Sequence, residues 1–155
     1  MKKNILSFLL LVVVVIIGVG CKSKEKESQV INLKINDREL VVKLALIDDC
    51  YIKSLTDTEY EVYLGDKKCM VSTFLSKEQY EKYSKEICKT EGASIKGVGE
   101  RDNFTYMFYE LKTDDDIQYN RIVRIKEQEI YMIMYCYDNE DTAKKIFENI
   151  SFTLN

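Results

Sequence analysis

Apolar residues fall at every second position through most of this chain, and that alternation limits its fold more than any other feature. A strand shows successive side chains to opposite sides, so period two marks a sheet with one face in a core. Residues 30–35, VINLKI, put Ile31, Leu33 and Ile35 on one side and Asn32 and Lys34 on the other. After the polar turn NDRE, Leu40, Val42, Leu44 and Leu46 repeat the pattern. Two such runs about a short Asn-Asp turn predict a hairpin. EYEVYL and KCMVSTFL, joined through Gly65 and Asp66, predict a second. Three more strands are expected at 104–112, 120–126 and 130–137, joined by TDDDIQ and EQ into an antiparallel meander.

Two segments carry the helical period instead. SKEQYEKYSKEICK opens on Ser76, with Gln79 at capping-box spacing and Leu75 and Tyr80 placed for a hydrophobic staple. Tyr80, Tyr83 and Ile87 form its inward stripe. The second helix follows a cap at Asp138 or Asn139 and aligns Ala143, Ile146, Phe147 and Ile150 on one face. SFTL then closes the chain as a short strand, and GASIKGVGERDN between the helix and the meander is expected to be a glycine-rich loop. The expected fold class is therefore α+β, an antiparallel sheet with helices packed on it, in one domain over residues 30–155.

The N-terminus has a different character. Met1-Lys2-Lys3 leads into an apolar run over residues 5–19 that is short for a lasting bilayer span of about 20 residues. It suits the apolar region of a secretory signal over residues 1–20. Gly20 is followed directly by Cys21 and then by the charged KSKEKES. This seam resembles the bacterial lipobox, although Gly18 stands where that motif most often has Leu. The resemblance implies cleavage before Cys21 and diacylation of its thiol. Two acyl chains, at about 0.8 kcal/mol per buried methylene, hold a protein on a membrane where one would exchange. Residues 21–29 would form a solvated tether. The protein is then expected on the extracytoplasmic face of a cell membrane. A Gram-positive host fits the bias to Lys, Ile, Asn and Tyr and the absence of Pro, His and Trp.

Without its signal the chain has 21 basic and 26 acidic residues, a net charge of −5. No basic block is present, which argues against nucleic acid as a partner. Absence of His removes the commonest general base, the triad relay and the usual zinc ligand. Cys50, Cys69, Cys88 and Cys136 are too far apart for a CxxC site, and GASIKGVG has Val98 where a phosphate loop needs Lys. Asp114, Asp115 and Asp116 lack the alternate spacing and glycine of a calcium loop, and Asp48 and Asp49 are read as surface residues too. No catalytic residue, metal site or cofactor is expected.

Four cysteines outside the membrane can form disulfides in three pairings, or stay reduced as small hydrophobes. A strand rising from Cys69 and a helix descending to Cys88 would bring those two level, which favours Cys69–Cys88 and leaves Cys50–Cys136. Tyr131, Tyr135 and Tyr137 share one side of a strand, and Tyr106 and Phe108 could lie beside them. Such a face is either core beneath a helix or an exposed binding surface.

The strand–helix–meander order, the aromatic strand IYMIMYCY and the terminal IFENISF resemble PsbP/Mog1-like domains over most of residues 30–155. That resemblance implies a layered sandwich and a binding or accessory role, and it assigns no site residue. The chain is accordingly expected to be a membrane-anchored binding or accessory module that recognises an envelope protein or a small ligand. A small hydrolase or thiol-redox enzyme built from carboxylate, Tyr or Cys residues is the alternative. Mass spectrometry of the membrane-extracted protein should find a diacylated peptide beginning at Cys21. A Cys21→Ser variant still cut at that bond would contradict the lipobox.

Overall fold

The computed structural model describes residues 28–154 except 36 and 48. The signal segment, Cys21, most of the tether and Asp48 therefore lie outside the described residues.

Ten strands build two antiparallel sheets. The small sheet has the order β1-β2-β10, from β1 (Ser28–Ile35), β2 (Arg38–Ala45) and β10 (Ile150–Leu154). The large one has seven strands: β3 (Cys50–Ser54), β4 (Glu59–Leu64), β5 (Lys67–Leu75), β6 (Ala93–Arg101), β7 (Phe104–Lys112), β8 (Ile117–Ile125) and β9 (Ile130–Cys136). Its order is β3-β4-β5-β9-β8-β7-β6. Among the described residues two helices complete the fold, α1 (Lys77–Glu86) and α2 (Glu140–Asn149), with a 3₁₀ turn, Ile87–Lys89, after α1.

Both expected hairpins form. Asp37 takes the left-handed conformation at φ 64° in the β1–β2 turn, and Gly65 takes it at 56° between β4 and β5. A positive φ at a central position belongs to the primed two-residue turns, whose twist matches that of the flanking strands. At α1 the capping box closes as expected, with Gln79 N–H donating to Ser76 Oγ at 3.1 Å and Ser76 N–H donating to Gln79 Oε1 at 2.8 Å. Asn139 caps α2 by accepting from Thr142 N–H at 2.9 Å.

The expected α+β class is corrected: 60 % of the described residues are strand and 18 % helix, so the molecule is mostly β. The inner face of the large sheet packs on a second sheet and α2 together, and a helix-covered sandwich is not what forms. Two strands account for much of the difference. β3 is short and follows an acidic pair, and β6 occupies the segment expected as a loop.

The core between the sheets joins Leu33, Leu40, Val42 and Leu44 to Tyr60, Val62, Met70, Phe104, Met132 and Met134. α2 adds Ala143, Ile146 and Phe147, the face expected from its spacing. A smaller core on the outer face puts α1 and Ile87 against Tyr109, Ile122 and Ile133, with Tyr80 and Tyr135 at its margin.

All four described cysteines carry free thiols, so the expected bridges are absent. The helix does return over β5 and β9, but on the wrong side for that pairing. Val62 opposes Met70 while Tyr63 opposes Lys68, so Cys69 is the extra residue of a β-bulge. The bulge turns both Cys69 and Met70 into the inner core, whereas Cys88 lies exposed beyond α1 with the sheet in between. Cys50 on β3 and Cys136 on β9 are three strand spacings apart, about 14 Å at roughly 4.8 Å each, and a disulfide needs Cα atoms within about 7 Å. Thiol titration of the folded Cys21→Ser protein should therefore modify Cys88 quickly, and Cys50, Cys69 and Cys136 only after denaturation. A second fast thiol, or none until a reductant is added, would contradict this arrangement.

Candidate functional site

β8 carries the residue about which the site is built. The run YNRIVRI alternates so that Tyr119, Arg121, Val123 and Ile125 face the inner core, while Arg124 faces out. Arg121 is 4 % exposed. One of its Nη groups donates to the carbonyl of Phe147 in α2 at 2.6 Å. The guanidinium lies over the Tyr106 ring at 4.1 Å, with the Phe104 and Phe147 rings at 5.2 and 5.5 Å. Its Nε is buried without a hydrogen-bond partner. Burial lowers its pKa to about 10 from the ordinary arginine value. Even so, the group is a cation at any physiological pH.

Above Arg121 a cleft of about 230 Å³ opens between α2 and strands β6–β8. Tyr106, Phe108 and Phe147 wall it, and Lys96, Arg101 and Lys144 stand at its mouth with Glu148. Arg101 and Arg121 also meet the bare C-terminal end of α2, which has no basic residue in its last turn. Arg101 donates to the Glu148 carbonyl, so cations from the sheet satisfy carbonyls that a helix end leaves free.

The glycines of β6 shape the cleft. A Cβ on Gly99 would lie 2.9 Å from Tyr106 Oη, so glycine there lets the tyrosine ring settle across the strand. A Cβ on Gly97 would have nothing within 4 Å. Because Gly97 lines the cleft, its missing side chain leaves that space open. Lys96 is a bulge residue, since Ile95 opposes Tyr109 while Gly97 opposes Phe108.

The mouth is balanced in charge. Lys96 Nζ lies 2.9 Å from Glu110 and 3.7 Å from Glu140, and Lys144 lies 2.7 Å from Glu140. Arg101 pairs with Asp102 at 3.5 Å. Among the described residues no carboxylate lies within ion-pair distance of Arg121. Its charge is met by the Phe147 carbonyl and, from farther off, by Glu148.

Arg121 belongs to a polar file that crosses the inner face. Register places Tyr60, Ser72, Met134, Arg121, Phe108 and Gly97 in one row across β4, β5, β9, β8, β7 and β6. Tyr60 Oη and Ser72 Oγ are buried opposite each other on β4 and β5, with no partner besides each other, and Arg121 Nε is buried without one. Burial raises the Tyr60 pKa well above its ordinary value, so its hydroxyl stays protonated beside the cation's field.

The aromatic surface expected from sequence divides between two faces. Tyr106 and the buried Phe108 look inward into the cleft, whereas Tyr131 and Tyr135 look outward beneath and beside α1. Tyr131 is core, its ring tilted by 36° against Tyr80 at 4.8 Å, Tyr135 is half-buried, and Tyr137 is exposed. Two unforeseen tyrosines share that outer side. Tyr51 and Tyr63 stack at 4.9 Å across β3 and β4, and Tyr63 Oη donates to Glu61 at 2.7 Å. Asp114, Asp115 and Asp116 lie at the exposed tip between β7 and β8. Burial pushes the Cys69 and Cys136 thiols up, away from the thiolate that redox or nucleophilic chemistry uses.

Comparison with protein families, with curated proteins and with solved structures returns no match.

The mouth network has a pH signature. The hydrogen bond from Lys96 holds the Glu110 carboxyl below its ordinary value, and the one from Lys144 does the same for Glu140. Carboxyls with depressed folded values stabilise the fold above the ordinary carboxylate range, and that contribution is lost as pH falls through the depressed values. Denaturant midpoints should hold steady from neutrality to about pH 5 and drop below about pH 4. Glu110→Gln should lower the neutral plateau and flatten the acid decline. Superimposable pH curves for the two proteins would show that this network contributes nothing.

Proposed function

We propose that the chain is a lipid-anchored binding or accessory module of the cell envelope, and that its working site is the cleft beneath α2. One observation carries the reading: Arg121 is a 4 %-exposed cation on the cleft wall with an orphaned Nε and no carboxylate within ion-pair distance. Moving such a charge out of water costs several kcal/mol even after relaxation. A protein that needed only a helix cap there could satisfy Phe147 C=O with a neutral donor. A buried cation on the wall of an apolar cleft suits a ligand that brings the opposite charge.

Anchoring comes from the lipobox-like seam at Cys21 and outward placement from the signal before it. A net charge of −5 on the mature chain gives the module little attraction to anionic headgroups. Acyl chains would hold it to the membrane while the cleft remains free for a soluble ligand. Holding and presenting need no general base, which suits a chain without His.

Gly97→Leu provides the test, because it fills the cleft from an extended strand position where a side chain meets no neighbour. The detergent-solubilised full-length protein should be screened by thermal shift against a broad set of small metabolites, charged and neutral. Some compounds should raise the melting temperature of the wild type by several degrees. None should do so for Gly97→Leu, whose own unliganded melting temperature should equal the wild type's. Equal shifts in both proteins, or none in the wild type, would remove the cleft from the account.

A further inference from the structure

We infer that the ligand of this cleft is a small monocarboxylic acid with an apolar body, gripped side-on by the Arg121 guanidinium. The inference rests on the reading of the cleft as a binding site and goes further by naming the chemistry that fits it. Charge sets the first limit. Lys96, Lys144 and Arg101 already face Glu110, Glu140 and Asp102 in ion pairs, whereas Arg121 has none and feels Glu148 only from beyond ion-pair distance. A single negative charge would give Arg121 the direct partner it lacks. A dianion such as phosphate would place a second charge among Glu110, Glu140 and Glu148 with no cation left to meet it.

Geometry sets the second limit. The Tyr106 ring lies over the guanidinium at 4.1 Å, and the Phe104 and Phe147 rings also crowd it. Rings against its faces leave its in-plane N–H edge for polar contact. One Nη is already given to Phe147, and the unpartnered Nε on that edge is buried, so a ligand reaches it only when a neighbouring side chain moves aside. Two parallel in-plane donors match the two oxygens of a carboxylate, a fit that a tetrahedral anion or a lone hydroxyl lacks.

Size and lining set the third. The cleft holds about 230 Å³, below the roughly 300 Å³ at which sites for drug-sized molecules begin. An acid of amino-acid or short aryl-alkyl size fills it, with its body against Tyr106, Phe108 and Phe147. Rim carboxylates would also hold off a more highly charged competitor while leaving a monoacid free to enter.

Calorimetry on the detergent-solubilised full-length protein tests this with phenylacetate, hexanoate, phenylacetamide and inorganic phosphate as probes. At least one of the two acids should bind, and phenylacetamide should bind about tenfold more weakly than phenylacetate, or not at all, because it leaves the cation without a direct partner of opposite charge. Phosphate should not displace the bound acid. Arg121→Lys keeps the charge but loses the planar fork, and should weaken the acid about tenfold. If that variant does not fold, the acid–amide pair on the wild type decides alone. Equal binding of acid and amide overturns the inference. Displacement by phosphate overturns it as well, while leaving the cleft a binding site. Failure of both acids to bind, where other compounds still stabilise the wild type and not Gly97→Leu, overturns the inference alone. Failure of every compound overturns the cleft reading with it.

Discussion

The pairing of β5 with β9 is the contact on which the rest of the molecule depends. Local turns make two separate meanders, β3-β4-β5 and β6-β7-β8-β9, and only the ladder from Met70 opposite Cys136 to Leu75 opposite Tyr131 joins them. It closes across some 60 residues of chain, so its loop entropy must be offset by packing on both faces. α1 supplies that packing outside, beginning where β5 ends and lying over β5 and β9. Inside, β9 runs directly into α2, which turns back over β8 and delivers β10 to the small sheet beside β2. A fault in the β5–β9 ladder would therefore remove α1's seat, α2's starting point and the cleft together.

That topology also explains why the cleft lies where it does. The small sheet and α2 share the inner face, and α2 ends over the β6–β8 side, where its carbonyls meet Arg101 and Arg121. β6 is the edge strand of that side, thinned by Gly97 and Gly99. The space beneath the helix end is not filled by side chains from the edge, and Arg121 sits at its base. The partnerless Nε of Arg121 is costly, at about 1–3 kcal/mol for a buried group left unsatisfied. The aromatic rings around Arg121 offset part of that. A fold selected only for stability would not keep the remainder.

Much of this was legible in single residues. Ala143, Ile146 and Phe147 mark the buried face of α2, Ser76 and Gln79 mark the start of α1, and Gly65-Asp66 marks a hairpin. β6 was hidden because the Lys96 bulge breaks its period: Ile95 and Val98 stand three apart yet occupy outward positions, and glycines fill the inward ones. Missing β6 and β3 turned a mostly β molecule into an expected α+β one. Cys69 misled for the same reason, since a bulge reverses the face that alternation assigns. Arg121 did leave a signal. Its parity with Val123 and Ile125 sets a charge on an apolar side, which is the pattern of a buried cation. The tyrosine surface failed on register, because nothing local places Tyr106 and Tyr135 on opposite faces of one sheet.

The central claim is that Arg121 is retained for what it binds and not for what it holds together. The most direct measurement is the unfolding free energy of Arg121→Met, from guanidinium chloride denaturation without added ligand. Methionine has the length to fill the same space among Tyr106, Phe104 and Phe147 without a charge to desolvate. The account predicts a variant as stable as the wild type or more stable, by up to a few kcal/mol, as when buried ions give way to hydrophobes of similar volume. A loss of about 3 kcal/mol or more would mean that the guanidinium holds α2 onto the sheet, and would contradict the account at its base.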